Sequence, residues 1–185
     1  MNDYVIHTID TAPESARPSL AGLHTAFGLI PNVAGVMAGS PTLLNSFFAA
    51  FGQVRGAGTF TPGERQVLLL SNAVANDCAW AVAFHSFEAV EDGVAPAEVD
   101  AIRRRQLPAD PRFAALSALT RTLIDKRGHL DDADLRSFAA AGFGDAQVLE
   151  VVTCLAISTM SNHAANVARP PLEEAFRSQA WTAGD

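Results

Sequence analysis

The chain is poor in cysteine: Cys78 and Cys154 are its only two, 76 positions apart, and no C-x-x-C pair occurs. Where no export signature is visible, so sparse a set reads as reduced thiols rather than a structural disulfide. Clustered positive charge is also scarce. Against 20 Asp and Glu stand 13 Lys and Arg, for a net charge of -7, and the one basic run is Arg103-Arg104-Arg105. That balance disfavours a nucleic-acid or anionic-membrane partner. Apolar stretches are interrupted too often to span a bilayer, and Met1 to Asp10 lacks the basic region, apolar core and cleavage site of a secretory signal. A cytoplasmic protein with no membrane contact is expected. The spacings H-x-x-x-H and H-E-x-x-H are missing, as are phosphate-binding and dinucleotide glycine patterns, so neither a metal nor a cofactor is expected.

What is present is globular. Hydrophobic residues make up 49% of the 185 positions and charged residues 18%, enough for one core and too short a chain for two ordinary domains, so residues 1–185 are expected to form a single domain. Apolar residues recur at helical spacing, and the breaks between them carry helix start and stop chemistry rather than hairpin turns. An all-α fold is expected. Ser40-Pro41 caps a helix whose stripe is Leu43, Leu44, Phe47, Phe48 and Phe51. Thr61-Pro62-Gly63-Glu64 fits a capping box at the start of a helix through Val67, Leu68, Leu70 and Val74. Asn76-Asp77 marks a boundary that places Cys78 in the first turn of the next helix, which ends at Gly93. Further helices are expected from Pro96 to Arg104, from Pro111 through Leu123, after Leu130-Asp131-Asp132, from Ala146 to Ala168, and over Leu172 to Phe176.

The order of these segments resembles the carboxymuconolactone decarboxylase-like family, in its alkylhydroperoxidase AhpD-like, peroxidase-related branch. Gly28-Leu29-Ile30-Pro31-Asn32 and Ser40-Pro41-Thr42-Leu43-Leu44 look like two of its segments, and Phe60 to Gln66 is similar to a third. Cys78 to His85 stands where the family carries CxxCxxxH, and Asn162-His163 where an Asn-Arg pair is usual. The resemblance implies an AhpD-like helical bundle with a family core near 40–125, assembled as a homo-oligomer, a trimer or hexamer. It also implies a site at Cys78, His85 and Gln66. Two departures bear on function: Ala81 replaces the second cysteine, and Gln66 replaces a glutamate twelve residues before the first.

The departures bear on mechanism. A dithiol works because the sulfur that reacts first is displaced by its neighbour, and Cys78 has no neighbour within a turn. Seven residues of straight helix correspond to about 10.5 Å of rise, so His85 lies beyond direct reach of Cys78 and nearer to position 81. Gln66 can orient His85 or a water through hydrogen bonds but cannot act as a base; it can equally be an exposed helix residue. Cys78 is either a reactive thiol or a small buried hydrophobe, with His85 a satisfied polar residue. Glu64 is explained by its capping box, and Cys154 by the apolar helix around it. Asn162 and His163 either face the site or simply end their helix.

Three functions remain open. The first is a one-cysteine peroxidase-like antioxidant oxidoreductase of peroxiredoxin type, in which Cys78 reduces a hydroperoxide or disulfide substrate and an external thiol restores it. The second is a decarboxylase of the carboxymuconolactone type, against which the scarcity of clustered Arg and Lys speaks. The third is a non-catalytic helical scaffold.

Overall fold

A computed structural model describes residues 4–183; Met1 to Asp3 and Gly184 to Asp185 lie outside the described residues. The described chain contains nine α-helices and no strand: α1 (Arg17–Phe27), α2 (Asn32–Met37), α3 (Pro41–Gly56), α4 (Pro62–Ala75), α5 (Ala79–Glu91), α6 (Pro96–Arg103), α7 (Pro111–Asp125), α8 (Asp132–Ala140) and α9 (Asp145–Ala168). The all-α expectation holds.

The boundaries are set by local chemistry. Ser40 caps α3 by accepting from the Leu43 amide, with Pro41 at the first helical position. At α4 both halves of the capping box form: the Thr61 hydroxyl accepts from the Glu64 amide, and Glu64 Oε2 accepts from the Thr61 amide at 2.9 Å. Asp110 caps α7 by accepting from the Arg112 and Phe113 amides, and Asp131 forms a second capping box with Asp134 at α8. The last segment differs from expectation. Leu172 does not begin a helix; a 3₁₀ segment runs instead over Glu174–Gln179, behind the paired prolines Pro170-Pro171.

Helix α4 is the centre of the bundle. From Gly63 to Val74 every residue but Arg65 is buried, and α5, α6, α7 and α9 pack around it. A helix buried on nearly all sides must satisfy its polar groups internally. Glu64 Oε1 accepts from Arg112 of α7 at 2.8 and 3.0 Å, and Ser71 bonds Ser117 of α7 at 2.9 Å. Gln66 turns the other way, toward α5 and the loop after it. That loop approaches closely because position 63 is glycine: a Cβ there would stand 3.2 Å from Val94 Cγ2 and 3.5 Å from the Asp92 carbonyl.

The junction from α4 to α5 is a Schellman turn. The Cys78 amide donates to the Ala73 carbonyl, the Asp77 amide donates to the Val74 carbonyl, and Asp77 holds the left-handed conformation at φ 49°. Asp tolerates that conformation better than most residues, and its side chain pairs with Arg105. In consequence α5 starts one residue later than expected, and Cys78 is its N-cap rather than a member of its first turn.

Among the described residues no single helix is long and apolar enough to cross a membrane.

Candidate functional site

The site is built around His85, in the middle of α5. Gln66 is only 4% exposed, which rules out the exposed alternative, and its Oε1 lies 3.1 Å from His85 Nδ1. The other end of the same amide donates from Nε2 to Asp92 Oδ2 at 3.0 Å. This second contact fixes the first. A carboxylate oxygen accepts, so the Gln66 NH2 must face Asp92 and its carbonyl must face the histidine. His85 Nδ1 therefore carries the proton and donates it to Gln66, which leaves Nε2 as an unprotonated acceptor turned away from that bond.

Electrostatics agrees with that assignment. Burial drives the His85 imidazole down from 6.5 to about 3, so it is neutral at pH 7. The amide at position 66 brings no negative charge to reverse the effect.

His85 opens on a pocket of about 50 Å³. Its walls are apolar and strongly aromatic: Phe27 from α1, Phe47 and Phe51 from α3, and Trp80 and Phe84 from α5. Trp80 stacks on Phe84 with centroids 5.2 Å apart, and Phe84 meets His85 edge-on at 5.0 Å. Two cations share this pocket. Arg55 lies across Phe27 and Phe51 at 5.4 and 5.5 Å, and Arg65 contributes from α4. Neither arginine forms an ion pair among the described residues. Burial, and after it the neighbouring Arg55, hold the Arg65 guanidinium below its ordinary value. The expectation that positive charge is too scattered for an anion thus gives way: α3 and α4 bring together two arginines that stand ten positions apart.

Cys78 is elsewhere. It is 0% exposed and does not line the pocket that holds His85 and Gln66. Burial pushes its thiol up to about 11, over the opposing pull of the Ala81 and Trp80 amides, and its side chain makes no capping hydrogen bond. Cys154 is also 0% exposed, in the core as expected, with its thiol pushed up to about 12 by burial and then by Glu150. Both cysteines are free thiols. Asn162 is buried while His163 is exposed, and neither lines the His85 pocket. The structure therefore joins Gln66 to His85 and leaves Cys78 apart from them.

Asp92, Arg55 and Arg65 escape a reading of the sequence. Asp92 precedes Gly93 at a helix end and reads as cap material, so only the fold of the loop over Gly63 links it to Gln66. Arg55 sits near the end of α3, where a basic residue is expected on dipole grounds alone.

Residues 41–122 match the family described as "CMD: Carboxymuconolactone decarboxylase family". Over that stretch, less than half of its length, the chain is similar to this family. The matched stretch runs from the first residue of α3 into α7, and so includes Arg55, Gln66, Cys78, His85 and Asp92. No curated protein matches the chain.

Solved structures share its fold. The AhpD core of an uncharacterized peroxidase-related protein from Ralstonia eutropha is 22% identical with a TM-score of 0.82, covering 94% of this chain and 93% of its own. The debrominase Bmp8 is 18% identical with a TM-score of 0.80, covering 97% of this chain and 96% of its own; it is known both in its apo form and as a cysteine-to-alanine variant in complex with 2,3,4-tribromopyrrole. A peroxidase-related protein from a Silicibacter species is 17% identical with a TM-score of 0.76, covering 96% of each chain. The chain thus has the AhpD-like helical fold over nearly its whole length.

Proposed function

We propose that this protein is a small-molecule enzyme in which His85 transfers a proton to or from an anionic, flat substrate, a reaction of the carboxymuconolactone decarboxylase type. The observation that carries this reading is the Asp92, Gln66 and His85 chain, which leaves Nε2 as a bare acceptor beside the aromatic wall. A histidine with a pKa near 3 is a weak base in the empty pocket. An anion held by Arg55 and Arg65 supplies the counter-charge an imidazolium needs, so substrate binding itself raises that basicity. The same guanidiniums stabilise the negative charge that develops when a carbon acid or lactone gives up its proton to Nε2. Because the pocket holds only about 50 Å³, a ring-sized substrate requires the exposed Arg55 arm to swing off Phe27 and Phe51. That the cysteine-to-alanine variant of Bmp8, with the same fold, forms a complex with 2,3,4-tribromopyrrole supports a flat ring as the substrate shape.

The test is deuterium uptake from D2O at the acidic C–H of a panel of cyclic lactone and β-keto carboxylates, followed by NMR. Uptake is expected with the natural chain and with Cys78→Ser, and is expected to fall by about 10² or more in His85→Asn. Uptake that persists in His85→Asn overturns the reading.

A second reading rests on a different observation. Burial raises the Cys78 thiol to about 11, but the Ala81 and Trp80 amides at the start of α5 oppose that rise, in the sense by which a helix N-terminus favours thiolate. On this reading the Cys78 thiolate attacks a hydroperoxide oxygen. The O–O bond breaks, an alcohol leaves, and the resulting sulfenic acid is returned to thiol by two equivalents of an external thiol, releasing water and a disulfide. It requires a local opening that exposes the sulfur, which makes it the weaker of the two. Mass spectrometry after stoichiometric peroxide decides it: a sulfenic adduct at Cys78 supports it, and a free Cys78 beside oxidised methionines sinks it. Under either reading we propose a homo-oligomer, trimer or hexamer, and a sedimentation mass equal to one chain at micromolar concentration refutes that part.

A further inference from the structure

The seam between α4 and α9 contains hydrogen-bonding atoms that the protein does not match. Asn72 Oδ1, Asn162 Nδ2 and Ser158 Oγ have no partner, in residues 0%, 1% and 2% exposed. Buried polar atoms in folded proteins are nearly always partnered, by protein or by ordered water.

Two contacts fix how the helices pass each other. Glu150 accepts from the Thr59 amide, 91 positions away, and Asn166 donates to the Asn76 carbonyl, 90 positions away. The helices α4 and α9 therefore run parallel with an offset near 90, which sets Asn162 across from Asn72. One amide orientation is determined as well. Asn72 Nδ2 donates to the Leu68 carbonyl at 2.9 Å, so Oδ1 is its free atom. Asn162 Oδ1 lies 3.4 Å from Ser161 Oγ, whose proton has a nearer acceptor in the Ile157 carbonyl at 3.1 Å, and Asn162 Nδ2 meets no acceptor. A free acceptor and a free donor thus face one seam without bonding each other. Ser158 lies one turn before Asn162 on the same face of α9. The two ends of this polar line belong to different cavities. Ser158 forms part of the wall of the His85 pocket, and Asn72 part of an outer cleft of about 420 Å³ bordered by Asn76, Leu123, Val152 and His163.

We infer that this seam is an internal water-binding site, in which Asn72, Asn162 and Ser158 hold ordered water that links the His85 pocket to the outer cleft through the protein interior. A water there donates to Asn72 Oδ1, accepts from Asn162 Nδ2 and shares a hydrogen bond with the Ser158 hydroxyl, which meets the usual complement of partners for buried water. Its role rests on the proton-transfer reading of His85. A hydrogen-bonded line of neutral groups gives the imidazolium proton a way out when a ligand fills the pocket mouth, without any side chain along the line changing charge.

Crystals of the intact protein, refined to a resolution at which ordered solvent is visible, are expected to show density within hydrogen-bonding distance of both Asn72 Oδ1 and Asn162 Nδ2. Solution NMR is expected to show a nuclear Overhauser effect from water to the Asn72 or Asn162 side-chain amide protons. Both signals are expected to be lost in Asn162→Leu. A direct Asn72 to Asn162 bond, a seam without density, or water signals that survive Asn162→Leu overturns the inference; if that variant does not fold, the two measurements on the natural chain decide alone. These readouts are independent of deuterium uptake, so the water site and the His85 chemistry fail separately.

Discussion

A histidine held neutral by burial makes the fold sensitive to acid in a window of its own. The unfolded chain binds a proton at position 85 below pH 6.5, whereas the folded chain resists until about 3. Between those values the unfolded state holds more protons, so stability rises with pH and is lost as the solution is acidified. Each pH unit below 6.5 costs roughly 1.4 kcal/mol, which makes the loss at pH 5 about 2 kcal/mol. The window above pH 5 separates this effect from Glu64 and Asp131, whose carboxyls are held below their ordinary values of 4.5 and 3.8 and whose stabilisation is lost only at lower pH. Glu88, raised by burial and then by Asp92, acts in the opposite sense, and comparison with a variant cancels it. The assay is urea unfolding of the natural chain and of His85→Asn at pH 7, 6 and 5. The difference in unfolding free energy between the two proteins is expected to shift by about 2 kcal/mol from pH 7 to 5, with the natural chain losing ground. Parallel pH profiles refute the claim that folding keeps His85 neutral.

Three other outcomes are expected from the packing. Native protein at pH 7 is expected to react with iodoacetamide at neither Cys78 nor Cys154, both reacting only after unfolding, because both thiols are buried and raised to about 11 and 12; mass spectrometry of the alkylated protein checks this. Glu64→Gln weakens the capping box and removes the charge from the Arg112 contact, and is expected to cost about 1–3 kcal/mol in denaturant titrations. Glu173 clips the C-terminal segment to the bundle by accepting from the Asn32 amide and from Trp80 Nε1 at 2.9 Å. Glu173→Ala is expected to shift Trp80 fluorescence and to lower the unfolding temperature, by about 2–4 °C for each kcal/mol lost.

Most of the helical order is legible in the sequence because the termini of α3, α4, α7 and α8 carry side-chain caps, and such chemistry is written in three or four consecutive residues. Helices α1 and α2 are harder to place, and the structure gives the reason: Ala16 and Pro31 stand at their N-caps and offer no capping side chain. The start of α5 is displaced by one residue because Asn76-Asp77 serves as a Schellman turn rather than as the cap of α5, which leaves that position to Cys78. In the site, the pairing of Gln66 with His85 is foreseeable from spacing within a recognised pattern. The contribution of Asp92 is not, since it depends on how closely a loop can approach Gly63. The same holds for Arg55 and Arg65, which meet only because α3 and α4 fold against a common cavity.

The protonation of the two His85 nitrogen atoms is read directly by ¹⁵N NMR of the imidazole side chains. For His85 the expected result is a neutral ring from pH 7 down to pH 5, protonated at Nδ1 and bare at Nε2. A ring that titrates near 6.5, or one protonated at Nε2 instead, contradicts it.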